Sequence, residues 1–140
     1  MADLEIRPLR LADLPAIERI QALNPSGAQW NPADYLAFQT LVAETGGQVA
    51  GLIAVQPLPP GEAEILNLAV LPDFKRQGIA TRLLAEVTAP AVFLDVRASN
   101  APAIAFYRKH GFLKTGHRRK YYARPVEDAI MMTRRLKPPG

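Results

Sequence analysis

Leu68-Ala69-Val70-Leu71-Pro72-Asp73-Phe74-Lys75-Arg76-Gln77-Gly78-Ile79-Ala80-Thr81 reads as a strand that runs into a loop, and the loop opens a helix. The first amides of a helix have no partner inside it and carry partial positive charge, which makes them an anion site. Gly78 and Ala80 are small enough for the backbone to approach a diphosphate closely, and Lys75 and Arg76 add positive charge beside them. An ordinary strand–loop–helix connection with a glycine near the cap gives the same pattern. No Gly-Lys-Ser/Thr follows, so this is not a Walker A loop, and a lone glycine is not the Rossmann fingerprint.

Outward from this stretch, Pro and Gly punctuate the chain. Leu4 to Pro8 predicts a strand. Ala12 to Leu23 predicts a helix with Leu14, Ile17, Ile20 and Leu23 on one face. Asn31 is placed to cap a second helix that has Pro32 at its first position and runs to about Thr40. Leu41–Thr45 and Gln48–Gln56, joined by Gly46-Gly47, predict a hairpin, and Glu62–Val70 the next strand. A helix from Gly78 to about Thr88 with Ile79, Leu83, Leu84 and Val87 on its apolar face precedes the apolar strand Ala91–Arg97. Asn100 caps a helix over Ala101–His110 that Gly111 stops. Strands near Phe112–Thr115 and Ile130–Leu136 close the chain. This order implies an α/β fold with a mixed, mostly antiparallel sheet and helices on its faces.

The 140 residues fit one domain, 1–140, with enough chain to bury a core unaided. With no cysteine in the sequence, disulfides, thiolate metal sites and a cysteine nucleophile are excluded. His110 and His117 lack metal-ligand company, so no metal is expected. No apolar stretch reaches membrane-spanning length and the N-terminus does not read as a signal peptide, so a cytoplasmic location is expected. The net charge is +4. Basic residues gather at Lys75-Arg76 and from Lys114 to Arg124, a field that suits a phosphate-rich ligand. Nucleic acid is not the expected partner, because the chain has no helix-turn-helix, zinc spacing or aromatic RNA-binding box.

The second informative stretch is Phe93-Leu94-Asp95-Val96-Arg97-Ala98-Ser99-Asn100 leading into Ala101–Phe112. Asp95 is a carboxylate inside an apolar strand, costly to bury unless paired or wet. An ion pair with Arg97, two residues along on the same face, is its structural explanation. Asn100 reads as a helix cap that could also face a ligand. Tyr107 reads as a half-buried core tyrosine or a functional phenol, and Phe106 as the better core candidate.

Together these stretches resemble the GNAT superfamily of N-acetyltransferases. That family's cofactor loop, Gln/Arg-x-x-Gly-x-Gly/Ala, stands here as Lys75-Arg76-Gln77-Gly78-Ile79-Ala80. Glu64–Val70, Val96–Asn100, Ala105-Phe106-Tyr107, Gly111-Phe112, Arg118–Tyr122 and Glu127–Met132 look like the RimI group, which acetylates the N-terminal alanine of a ribosomal protein. The match is strong from Glu62 to Met132. Before it, Trp30 alone is similar.

The resemblance implies a GNAT fold and acetyl-CoA as co-substrate. Backbone groups of Leu68, Ala69 and Val70 would hold the pantetheine arm, and amides from Arg76 through Gln77, Gly78, Ile79 and Ala80 to Thr81 the diphosphate, with Lys75 beside them and Asn100 touching the cofactor. Tyr107 would be the general acid. The family's general base is a Glu where this chain has Asp95, about 1.5 Å shorter; a relayed water could fill the gap, and Glu64 is the second candidate. Trp30, Arg118, Tyr121 and Tyr122 would meet a protein or peptide N-terminus, though a packed hairpin with a solvated arginine face explains the last three equally. The segment between Gly78 and Asp95 looks about two helical turns shorter than usual for the family. Acetylation of a small amine and non-catalytic acyl-CoA binding are the rival readings.

Overall fold

A computed structural model describes residues 3–136. Its strands are β1 (Leu4–Pro8), β2 (Gln39–Thr45), β3 (Gln48–Leu58), β4 (Glu62–Val70), β5 (Ala91–Arg97), β6 (Leu113–Ala123) and β7 (Val126–Arg135), and its helices α1 (Leu14–Ala22), α2 (Ile79–Leu84) and α3 (Ala101–Lys109). They form a seven-stranded sheet in the order β1-β2-β3-β4-β5-β7-β6, flanked by helices. The β1/β2, β2/β3, β5/β7 and β6/β7 pairs are antiparallel, and β4/β5 is parallel over Glu62–Glu64 and Ala91–Phe93. The chain divides into two compact units. One takes the described residues up to Gln56 together with Ile65–Thr88; the other takes Pro57–Glu64 and the described residues from Ala89 onward.

In the first unit, Thr45 pairs with Gln48 around Gly46 and Gly47, both at positive φ (58° and 75°) as a two-residue hairpin turn requires. Ile17 and Ile20 of α1 are fully buried with Tyr35, Val42, Leu52 and Ala54. Leu23, expected on that face, is 48% exposed because α1 has already ended at Ala22. The buried Arg7 guanidinium grips Asp13 with contacts of 2.8 and 3.0 Å and Glu44 at 2.8 Å, fastening β1 to the start of α1. Such charges are tolerable in a core only because each has its partner.

Two helix boundaries differ from the sequence expectation. Asn31 does cap the segment after it, accepting from the Ala33 amide, but Pro32–Ala37 winds as a 3-10 turn and β2 begins at Gln39. The helix after Gly78 ends at Leu84; Glu86 and Val87 close the turn with bonds to the Leu83 and Leu84 carbonyls. Ile79, Leu83, Leu84 and Val87 are nevertheless all buried, as their spacing predicts.

In the second unit, β5 lies along β7 over its full length, Ala91 opposite Arg135 through Arg97 opposite Ala129. The last two strands are much longer than expected, forming a hairpin from Leu113 to Arg135. Its register shifts between Arg118 and Tyr122, where Lys120 takes a positive φ of 50°. Asn100 caps α3, accepting from the Ala103 amide, and Gly111 ends it at φ 91° while the Phe112 amide returns to the Tyr107 carbonyl at 2.9 Å.

Candidate active site

Strand β4 alternates strictly. Ala63, Ile65, Asn67 and Ala69 face the interior, and Glu62, Glu64, Leu66 and Leu68 are partly exposed. At its end the Leu71 amide donates to the Ala50 carbonyl at 2.8 Å. Gly51 sits so close that a Cβ there would stand 3.0 Å from the Ala69 carbonyl oxygen and 3.3 Å from Ile79, so glycine is what allows β3, β4 and α2 to meet. Pro72–Phe74 makes one 3-10 turn, and Lys75, Arg76, Gln77 and Gly78 follow as exposed residues. Arg76 and Gly78 are both left-handed, with φ of 67° and 79°. The first helical bond of α2 runs from the Arg82 amide to the Gly78 carbonyl, so the amides of Ile79 and Ala80 come before the ladder begins. Strand end, left-handed turn and opening helix turn are thus one continuous piece of the first unit.

The 24–31 loop lies against the same piece. Trp30 stacks on Tyr35 with ring centroids 4.8 Å apart, and the Asn24 side chain donates to the Val70 carbonyl at 3.1 Å.

The second unit gathers the candidate proton-transfer groups. Glu64, Asp95 and Arg97 point to one partly exposed face of β4 and β5. Asp95 is paired with Arg118 of β6 at 3.4 Å, and Arg97 with Glu127 of β7 at 3.3 Å. The expected Asp95–Arg97 pair is therefore corrected: each takes a partner from another strand. Burial first, and then the Asp95 charge, hold the Glu64 carboxyl above its usual range, with Arg118 pulling the other way. Tyr122 is pushed up to about 12, by burial and then by Asp95, and the Arg97 guanidinium lies 4.3 Å over its ring.

Tyr107 is 7% exposed, whereas Phe106 is only partly buried, the reverse of the core assignment read from the sequence. The Tyr107 ring meets Phe106 and Phe112 edge-on at 5.4 and 5.3 Å. Burial raises its phenol strongly, and Tyr122 raises it further. The Asp95 charge thus acts on both Glu64 and Tyr122, and Tyr122 in turn on Tyr107. Regular strand alternation would turn Tyr121 and Tyr122 to opposite sides, but the irregular register here packs their rings edge-on with centroids 5.1 Å apart; Tyr121 is 51% exposed and lies beneath Arg118. Asn100 spends its side-chain oxygen on the helix cap at 3.3 Å.

Sequence reading missed Gln21 and Tyr35 and gave Asn67 no role. Asn67 donates to the Tyr35 hydroxyl at 2.9 Å, and Tyr35 donates to Gln21 at 2.6 Å. Their signal was a polar residue at an inward position: Asn67 between Ile65 and Ala69, Gln21 four residues after Ile17.

Folding raises the proton affinity of Glu64, so its contribution to stability is complete at low pH and is lost as pH rises through the elevated value. Glu64→Gln is expected to melt higher than wild type at neutral pH and no differently at about pH 3, well below the unfolded value of a glutamate, where both side chains are uncharged. Paired thermal melts at the two pH values check this.

The acetyltransferase (GNAT) family model matches residues 6–112. The [ribosomal protein bS18]-alanine N-acetyltransferase of Escherichia coli is 34% identical over 144 residues, spanning 91% of this chain and 94% of that protein. The N-alpha-acetyltransferase RimI of Mycobacterium tuberculosis is 38% identical over 99 residues, spanning 66% of this chain and 63% of that protein. A longer Mycobacterium leprae relative is matched over only 27% of its length. The crystal structure of the E. coli ribosomal-protein-S18-alanine N-acetyltransferase superposes with a TM-score of 0.81 at 30% identity, covering 99% of this chain and 97% of that one. Among the described residues no helix is long and apolar enough to cross a membrane.

Proposed function

Because the chain belongs to the acetyltransferase (GNAT) family, we propose that it acts as one acetyltransferase domain, 1–140, moving an acetyl group from acetyl-CoA to the N-terminal α-amine of a protein. The observation that carries this is the left-handed turn at Arg76 and Gly78 between strand β4 and helix α2. It sits in an exposed, basic loop, and a left-handed turn of this kind is the backbone form in which neighbouring amides can converge on an anion such as a diphosphate. Acetyl-CoA is the co-substrate whose chemistry fits that seat. The amides of Arg76 to Thr81 would hold its diphosphate, Lys75 would add charge, and backbone groups of Leu68, Ala69 and Val70 would hold the pantetheine arm and polarise the thioester carbonyl.

The reaction is direct transfer, since neither a cysteine nor a serine nucleophile elbow suggests a covalent intermediate. A neutral amine attacks the thioester carbonyl, the carbon–sulfur bond breaks, and the amine's proton leaves to a base while the thiolate gains one from an acid. Orientation and carbonyl polarisation carry most of the acceleration. An α-amine costs only about 1.4 kcal/mol to neutralise at pH 7, against about 4.6 kcal/mol for a lysine amine. A short base working through one water therefore suits the α-amine.

We assign that base to Asp95 and the acid to Tyr107. Arg118 fixes the Asp95 carboxylate in place, and Glu64 beside it is the alternative base. Trp30, Arg118, Tyr121 and Tyr122 would meet the acceptor, and Asn100 the cofactor. The Escherichia coli relative, which acts on ribosomal protein bS18, supports a protein N-terminus as acceptor and a ribosomal protein in particular; the place of action would then be the cytoplasm.

Incubation with acetyl-CoA and a panel of peptides, amino acids and polyamines, read by mass spectrometry, tests the acceptor. Acetyl addition to the α-amine of alanine-led peptides is expected; modification of free amino acids or polyamines with every peptide untouched would overturn it. For the base, Asp95→Asn should lower turnover at least roughly tenfold and Glu64→Gln much less. The opposite order would move the role to Glu64.

A further inference from the structure

We infer that Gln21, Tyr35 and Asn67 are a buried positioning relay that locks the Trp30 loop to the strand segment ahead of Leu68–Val70, and so set how the acceptor is seated. The inference rests on the proposed function for its acceptor, but its geometry lies wholly within the first unit.

The hub is the Tyr35 hydroxyl. It accepts from Asn67 Nδ2 and donates to Gln21 Oε1, on a side chain with no exposure to solvent. Gln21 then holds the backbone of Trp30 at both ends: its Oε1 accepts from the Trp30 amide at 2.9 Å, and its Nε2 donates to the Trp30 carbonyl at 2.7 Å. Gln21 is 5% exposed and Asn67 7%. Three polar side chains on apolar faces of α1, the 3-10 turn and β4 are costly to keep unless they have a task that apolar residues cannot do. Core filling alone would be served by leucine at any of the three. What they achieve is geometric: α1 and β4, whose Gln21 and Asn67 stand 46 positions apart in the sequence, are tied to one loop residue. A second tie, Asn24 to the Val70 carbonyl, holds the other end of the loop. The loop that carries Trp30 and the strand end that would present the thioester therefore move as one body.

The chain's only tryptophan is Trp30, so its fluorescence reports this loop without a label. The test uses the full chain as wild type, as Tyr35→Phe, and as Tyr35→Phe/Asn67→Leu. The single change keeps the ring stacked on Trp30 and leaves Asn67 Nδ2 without its acceptor, while Gln21 Oε1 keeps only the Trp30 amide. The double change removes both members of the Asn67–Tyr35 bond and should recover much of the lost thermal stability. Acrylamide should quench Trp30 more readily in both variants. The KM for an alanine-led peptide should rise roughly tenfold in both, while the affinity for coenzyme A changes less than about twofold. Unchanged quenching in Tyr35→Phe overturns the relay whatever the protein acetylates. A peptide KM that returns to the wild-type value as stability recovers in the double variant also overturns it, because the role was then only structural. Failure of the function itself is seen separately, as absent coenzyme A binding by the wild type in calorimetry; the quenching arm still decides the relay.

Discussion

Tyr107→Phe is expected to lower turnover by about a hundredfold or more while leaving coenzyme A affinity close to wild type. General acid catalysis contributes about 10² to 10⁴ in rate, and the substitution removes one oxygen and nothing else. The ring contacts with Phe106 and Phe112 at 5.4 and 5.3 Å are preserved by phenylalanine, so the core around α3 keeps its packing. Stability should change little, and lost activity cannot then be assigned to unfolding.

The same burial that makes Tyr107 a core residue keeps its phenol protonated well into alkaline solution. A departing thiolate, whose thiol titrates near 8.5, is a weaker base than such a phenolate, so complete transfer from Tyr107 runs uphill. The phenol therefore works best as a donor whose bond to sulfur shortens as charge develops there, with the proton passing over only as the thiol leaves. A pH profile of turnover should accordingly show no alkaline decline from Tyr107 below about pH 10. Stopped-flow measurement of thiol release at saturating substrates checks both points. Equal turnover in wild type and Tyr107→Phe would remove the acid role, and water would be left to protonate the thiolate.

Local patterns carried the reading furthest. Strand β4 is legible to the residue, because Glu62–Val70 alternates and is bounded by Gly61 and Leu71-Pro72. The caps at Asn31 and Asn100 and the stop at Gly111 are legible for the same reason: each is decided by a side chain within three residues of it. The helix after Gly78 is over-read because its apolar spacing continues to Val87 while its backbone does not. Pro90 drives the residue before it toward extended conformation, and the chain must be extended again at Ala91 to start β5. A six-residue helix is also too short to hold itself by propensity, so packing decides where it ends.

Partners that come from distant strands are not legible. Asp95 has Arg97 two residues away, yet it pairs with Arg118, which only the β5–β7–β6 register brings within reach. Arg97 is diverted in turn to Glu127, which also accepts from the Ser99 amide at 2.9 Å and so ties the end of β5 to the final hairpin. The carboxylate's identity as a departure from the family pattern was visible in the sequence, but its electrostatic neighbours were not.

Replacing Gly78 separates what a left-handed turn demands from what a ligand demands. Gly78 has φ 79° and ψ 9°, and a Cβ built on it has nothing within 4 Å. In the protein alone the penalty for a side chain is therefore conformational and not steric, about 1–2 kcal/mol for an ordinary L residue and less for asparagine, which visits this region more readily. Gly78→Asn should fold with a melting temperature near wild type, and Gly78→Val should melt lower. The proposed diphosphate, however, needs that open space, because amides on either side can approach it only if no side chain intervenes. Both variants should then bind coenzyme A at least roughly tenfold more weakly, and Gly78→Val about a hundredfold, or about 2.7 kcal/mol, since it also displaces the turn. Calorimetry with coenzyme A reads the affinities, and thermal melting reads the fold. If Gly78→Asn binds as wild type does, the glycine serves only the backbone. If Gly78→Val does so as well, the diphosphate is not seated on this turn, and Lys75 to Thr81 must be given another role.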